Sequence, residues 1–455
     1  MPERTGENIM GVQPIPKLIL GAGMPLMVSL LINSLYNFVD SVFVSRVSEA
    51  ALTAVSLSSP MQILMSALGG GIAVGLNAVI SKALGRRDEE GVKKAASAAL
   101  FLALCAGLLL AVCGLLLVRP YFVWQSAGDA VITDYGTSYL QICMLFSLGQ
   151  MGQWVFDRFT IASGKSGLFL YTLSAASVTN LILDPVLIFG WFGLPAMGVT
   201  GAAAATVIGQ WVGCLAGFLI NRRWNQEIPI HFTLRPDGRS IVNILRVGLP
   251  MSLVQGIVSL LAIVVNSILI GFSTTAVAVY GACTKVLNLT TVGAHGINLG
   301  VIPIVAYNYG AEKPARISGT IRWAMIYGWL LYIPFLLAME LFPGAVLLLF
   351  DASPDMLAIG IPALRILALG QLIAVPCLVL AAGFQGLSRA VFSTVLTTLR
   401  QAVLPLVLML AALAFQSLTL IWSAFLAAEL LTLPLGIVMW KRVSGRTLDD
   451  FSEEL

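Results

Sequence analysis

Charge is scarce in this chain. Of 455 residues, 11% are Asp, Glu, Lys or Arg and 58% are hydrophobic, whereas a soluble domain carries roughly 25% charged residues. A soluble core cannot hide that much apolar surface, but a bilayer lets it face outward, so a soluble globular protein is excluded. Histidine is scarcer still, with two residues. Neither H-E-x-x-H nor G-x-S-x-G occurs, and the six cysteines lie in apolar stretches without C-x-x-C spacing. That argues against an enzyme, a zinc site and a disulfide framework, and leaves the thiols as packing residues. A net charge of +4, dispersed along the chain, is too small for a nucleic-acid partner. Gly164-Lys165-Ser166 has Phe159 where a phosphate loop needs its leading glycine, so neither ATP nor another cofactor is expected. The segment MPERTGENIMGVQPIPK has no apolar core like that of a removable signal, so the first apolar stretch is expected to remain as a span.

What is abundant is apolar sequence in runs of membrane length. Breaks at charges and turn residues predict twelve transmembrane helices, near 16–45, 50–81, 92–118, 131–156, 162–190, 197–220, 241–271, 275–308, 316–341, 354–383, 387–413 and 417–440. With the N-terminus in the cytoplasm, twenty of the 26 basic residues fall on the cytoplasmic side; Arg46 and Arg119 fall opposite, and four lie inside spans. This asymmetry predicts a multi-pass protein with both termini cytoplasmic; the expected location is a bacterial or archaeal cell membrane. The polar segment 221–240 divides an N-lobe (1–220) from a C-lobe (241–441), followed by a tail (442–455). The halves repeat: Gly23-Met24-Pro25 recurs as Gly248-Leu249-Pro250, and Gly75 and Gly85 as Gly300 and Gly310, all offset by 225. The expected fold is all-α, with two pseudo-symmetric six-helix lobes, as in transporters built from parallel repeats.

Ionisable groups inside a bilayer cost free energy and mark function. In the first span Asn33, Tyr36, Asn37 and Asp40 form one polar stripe at i, i+3, i+4 and i+7. In the fifth, Asn180 and Asp184 share a face, and Pro185 frees the carbonyl of Leu181. Pro25 and Pro185 are candidate hinges. Two carboxylates beside loosened backbone offer either a proton site or oxygen ligands for a hard cation. At the matching positions the second lobe carries Asn266 or Val265 and Leu404, so coupling is assigned to the N-lobe and the C-lobe is read as a moving wall.

Several further residues have a bland reading beside the functional one. Met61, Met65, Gln150, Gln153 and Lys285 either line a substrate cavity, together with Asn33 and Asn37, or pack and snorkel. Arg400 and Glu429 are expected to form a structural ion pair, His295 to pack, and Asp157 and Arg158 to form an interfacial pair.

The G-x-P openings of spans one and seven resemble the multidrug and toxic compound extrusion (MATE) transporters. So do the stripe ending at Asp40, the run N-L-I-L-D-P-V-L-I-F-G at 180–190, G-V-T-G-A-A-A-A-T at 198–206 and G-L-S-R at 386–389. The resemblance covers nearly the whole chain and implies export of cationic or amphipathic organic compounds in exchange for H⁺ or Na⁺. It assigns Asp40, Asn180 and Asp184 to the N-lobe cation site of the DinF-like branch, with Tyr36 beside it and Thr206 as a hydroxyl ligand. If the ion is Na⁺, its ligands are Asp40, Asn180, Asp184 and Thr206. Pro25 matches the proline at which the first helix of that branch bends. The NorM-like branch has a glutamate where Val258 stands and an aspartate in span ten, where 357–384 holds no acid. A C-lobe carboxylate site is therefore not expected at those positions. The plan is shared with flippases of lipid-linked oligosaccharides, the alternative reading; here all four in-span bases, Arg246, Lys285, Arg365 and Arg400, lie in the second half. A monomer is expected, with small organic molecules and the bilayer as partners.

Overall fold

The computed structural model describes residues 8–126, 129–349 and 353–449; on the helices, the side chains of 33–42, 446–449 and scattered positions within 45–56 and 259–278 lie outside that description. All regular structure among the described residues is helical: α1 (Ile9–Val12), α2 (Ile15–Ser45), α3 (Glu49–Gly85), α4 (Glu89–Gln125), α5 (Ala130–Leu145), α6 (Leu148–Ala162), α7 (Gly167–Phe189), α8 (Val199–Trp224), α9 (Gly238–Ile270), α10 (Thr274–Gly310), α11 (Pro314–Leu341), α12 (Pro343–Leu348), α13 (Pro354–Gly386), α14 (Ala390–Thr398), α15 (Leu404–Leu413) and α16 (Leu418–Asp449). Among the described residues, eleven helices are long and apolar enough to cross a membrane. The expected fourth span is instead broken into α5 and α6 at Phe146–Ser147. Fully buried Ser147 turns its hydroxyl to the carbonyl of Gly107 on α4, at 3.4 Å.

By contact the chain forms two compact units, Val28–Ser252 and Met1–Met27 with Leu253–Leu455. The dividing points fall inside α2 and α9, next to Pro25 and Pro250. Each unit has its own apolar core, one around Leu76, Phe122 and Phe159, the other around Val265, Leu364 and Trp422. Both units also leave large apolar side chains exposed, as lipid allows. In α4, Ala95, Ala96, Ala99, Ala103 and Ala106 face inward while Leu108, Leu109, Leu115 and Leu116 are exposed, because in lipid close packing of small residues, not burial of large ones, brings helices together.

The sequence repeat is a structural one. Ser48 caps α3 by accepting from the N–H of Ala51, and Ser273 caps α10 by accepting from Ala276, both at 3.0 Å. Both helices have 37 residues, and each is followed by a non-glycine residue in the left-handed region, Arg87 and Glu312, at φ 56°. Every member of these pairs is 225 residues from its mate.

The polar connection before α9 is fastened to its own unit. Ile228 is buried, and Ser97 of α4 donates to the carbonyl of His231 at 2.6 Å. Asp237 accepts the backbone N–H and the hydroxyl of Ser240 at 2.8 Å, which starts α9 and holds the carboxyl below its ordinary pKa. In the other unit Arg316 donates to the carbonyls of Met10 and Gln13, Asn308 to Met10 and Lys313 to Gly11, at 2.7–3.1 Å. They satisfy the carbonyls at the end of α1.

Candidate cation-coupling site

The site in unit Val28–Ser252 begins with α7, where Asn180 (3% exposed) and Asp184 (0%) face inward one turn apart. Asn180 donates one side-chain N–H to Asp184 Oδ1 at 3.3 Å and another to Thr206 Oγ1 on α8 at 3.4 Å. α8 comes this close because Gly209 has no side chain: a Cβ there would stand 2.8 Å from the carbonyl of Ala176 and 3.2 Å from Asn180 Cβ. Pro185, buried next to Asp184, cannot donate to the Leu181 carbonyl. With Nδ2 engaged, Asn180 Oδ1 points inward as an acceptor. It has no hydrogen-bond partner among the described residues, nor has the buried Ser177 Oγ one turn earlier. A carboxylate, an amide oxygen and a hydroxyl form an oxygen set suited to a hard cation or a proton. Among the described residues, no group of three His, Cys, Asp or Glu is placed to hold a metal.

The structure thus brings together three of the five residues assigned to the site. Asp40 and Tyr36, with Asn33 and Asn37, lie on α2, but their side chains are outside the described residues. Pro25 lies inside the same helix. Of the cavity candidates, Met65 (4% exposed) belongs to the core of this unit and Met61 packs against it. Gln153 is buried with its amide against Gly213 of α8, and Gln150 is half-buried. Lys285 is exposed on α10, in the other unit.

Asp157, beside the charge of Arg158, lies inside the packed unit. It is buried (4% exposed) and accepts a hydrogen bond from Thr172 of α7. The periodic signal was available: Thr172, Asn180 and Asp184 lie on one face of α7, with Ser177 between them. Arg400 and Glu429 do form the expected ion pair, at 2.9 Å with both side chains buried. They line a cavity of about 200 Å³ with Tyr280, Thr284, Gln371 and Phe425. Arg400 sits on a π turn, Leu399–Val403, between α14 and α15. Pro405 gives this turn its cause, since it cannot donate to the carbonyl of Gln401.

Comparison with known proteins gives this geometry its setting. The MatE family model matches residues 25–186 and 250–411, two segments that begin and end 225 residues apart, like the repeat. The multidrug export protein MepA of Staphylococcus aureus (strain MSSA476) is 21% identical over 443 residues, 96% of each chain. The probable multidrug resistance protein YoeA of Bacillus subtilis (strain 168) is 29% identical over 315 residues, 68% of this chain and 67% of that one. A solved outward-facing structure of a multidrug resistance MATE transporter of the MOP superfamily superposes with a TM-score of 0.88 at 23% identity, covering 98% of this chain and 99% of the other. Matched by the family model in both halves, the protein belongs to the MatE family of multidrug efflux transporters.

Proposed function

We propose that the protein is a secondary-active antiporter that exports cationic or amphipathic organic compounds in exchange for H⁺ or Na⁺ by alternating access. The observation that carries this reading is the buried Asn180–Asp184–Thr206 cluster, an acid held inside an apolar unit with oriented oxygens beside it. Such a group is costly to keep in a membrane unless its charge is used. Ionised, Asp184 favours the state that admits a positively charged substrate; neutralised by a proton or Na⁺, it favours the state that releases it. Asp40, on the helix that bears Pro25, is the second acid of this site. The coupling ion drives export only by binding the two states with different affinity. Na⁺, if it is the ion, is held by Asp40, Asn180, Asp184 and Thr206.

The names of MepA and YoeA support export of drugs as the substrate class. The charge asymmetry of the loops supports a cell-membrane location with cytoplasmic termini. The protein works as a monomer of two six-helix lobes without ATP or another cofactor.

The test is efflux of ethidium, a fluorescent organic cation, from proteoliposomes under separately imposed H⁺ and Na⁺ gradients. One gradient should drive efflux, and Asp184→Asn and Asp40→Asn should each abolish the response. Unchanged efflux in both variants sinks the assignment.

A further inference from the structure

Below the Asn180–Asp184 pair the same unit holds a second buried acid for which the cation site has no use. Asp157 of α6 is 4% exposed. Thr172 of α7, which donates to Asp157 Oδ1, also has the carbonyl of Phe169 within reach, at 2.8 Å. One hydroxyl with two acceptors satisfies both ionisation states of the acid. It donates to the carboxylate when Asp157 is charged. When Asp157 is protonated, it can turn to Phe169 and accept from the carboxylic acid.

Thr172, Ala176, Asn180 and Asp184 repeat every four residues on α7, so the two acids are about 18 Å apart along the helix. Between them, beside apolar Ala176, Ser177 Oγ and Asn180 Oδ1 are buried without hydrogen-bond partners among the described residues. Buried polar atoms of this kind call for water or a transferred ion. Across from them α8 presents Gly209, Gly213 and Gly217, where a Cβ would meet Asn180, the Gln153 amide and Phe156. Past Asp157, Asn221 donates to the Phe156 carbonyl and Asn225 to the Phe159 carbonyl, at 2.9 and 3.0 Å, carrying the polar column to the end of α8. The groups with charge or a titratable proton that face Asp157 are Arg158 on its own helix and the Cys214 thiol on α8; α7 offers the Thr172 hydroxyl, and α3 and α4 offer none among the described residues.

We infer that Asp157 is a second proton acceptor, which takes the coupling proton from Asp184 through water at Ser177 and Asn180 and passes it to water at the cytoplasmic end of the unit. In each transfer an O–H bond breaks at the donor as one forms at the acceptor, and Asp184 is left ionised for the next substrate. Only a proton can use this route, so the inference rests on the coupling role of Asp184 and names its ion as H⁺. Asp157 binds neither drug nor Na⁺.

The experiment compares the full-length wild type with Asp157→Asn, Asp157→Glu, Thr172→Val and Asp184→Asn in proteoliposomes. It measures ethidium affinity, proton-driven efflux against pH, and the infrared C=O band of neutral carboxylic acids on acidification. Asp157→Asn should bind ethidium within about twofold of wild type, lose about a hundredfold in proton-driven efflux, and lack one carboxylic acid band. Asp157→Glu should recover efflux, and Thr172→Val should shift its pH profile. A wild-type profile in Asp157→Asn, an unchanged set of bands, or efflux driven by Na⁺ alone overturns the relay. Loss of ethidium affinity in Asp157→Asn, or no recovery in Asp157→Glu, would reduce Asp157 to a structural group. If Asp184→Asn also transports like wild type, the coupling site itself fails; if only Asp157→Asn does, the relay alone fails.

Discussion

Asn180 lies one turn before Asp184 on α7 and donates to its carboxylate at 3.3 Å, while a second N–H reaches Thr206 at 3.4 Å. With both hydrogens engaged, the amide is fixed in one orientation with its oxygen available beside the acid. A single side chain thus ties α7 to α8 and orients an oxygen ligand.

Replacing Asn180 by Leu keeps an apolar volume but removes both donors and the oxygen. Stranding a buried acceptor costs about 1–3 kcal/mol, so gradient-driven ethidium efflux should fall about tenfold or more. Thr206→Val should have a smaller effect, because only one of the two bonds is lost.

Gly209 permits the contact between α7 and α8. Gly209→Ala sets a methyl group 2.8 Å from the carbonyl of Ala176, backbone that cannot turn aside. A loss of about 1–3 kcal/mol is expected, read as a lower unfolding temperature in detergent. Gly281→Ala, with nothing within 4 Å of the new methyl, is the control and should be neutral or stabilising.

The Arg400–Glu429 pair is buried, and removing one partner leaves the other charge without its counterpart. Glu429→Gln should therefore destabilise by about 3–5 kcal/mol. The double variant Arg400→Met with Glu429→Leu should be closer to wild type. Thermal unfolding of the three proteins decides this, and a double variant worse than the single would contradict it.

Orientation can be read with an impermeant maleimide on a cysteine-free background. Arg235→Cys, before α9, should react only in inverted vesicles. Gln416→Cys, between α15 and α16, should react only in right-side-out ones, as the distribution of Lys and Arg requires. The opposite pattern would reverse the topology.

The spans were legible because lipid leaves the backbone no partner but itself, so each crossing needs about 20 apolar residues. The contact between Asn180 and Asp184 was legible because a four-residue spacing sets them on one face. The repeat was legible too, since Gly75 and Gly300 or Gly85 and Gly310 stand in corresponding places. Three features were not. The break at Phe146–Ser147 depends on the carbonyl of Gly107 on another helix. The burial of Asp157 depends on Thr172, fifteen residues away in sequence. The π turn that carries Arg400 sits where Pro405 withholds a donor, and its partner Glu429 is on the next helix.

By itself, then, the sequence determined the membrane setting and the duplication, and it set Asn180 and Asp184 on one face of one helix. Each of these follows from composition or from periodicity along one helix. Tertiary structure alone decided what Asp184 and Asp157 face: which glycine lets α8 approach, which hydroxyl meets Asp157, which oxygens of Ser177 and Asn180 stay open. Such contacts join residues from different helices, and no spacing within one helix encodes the distance between two.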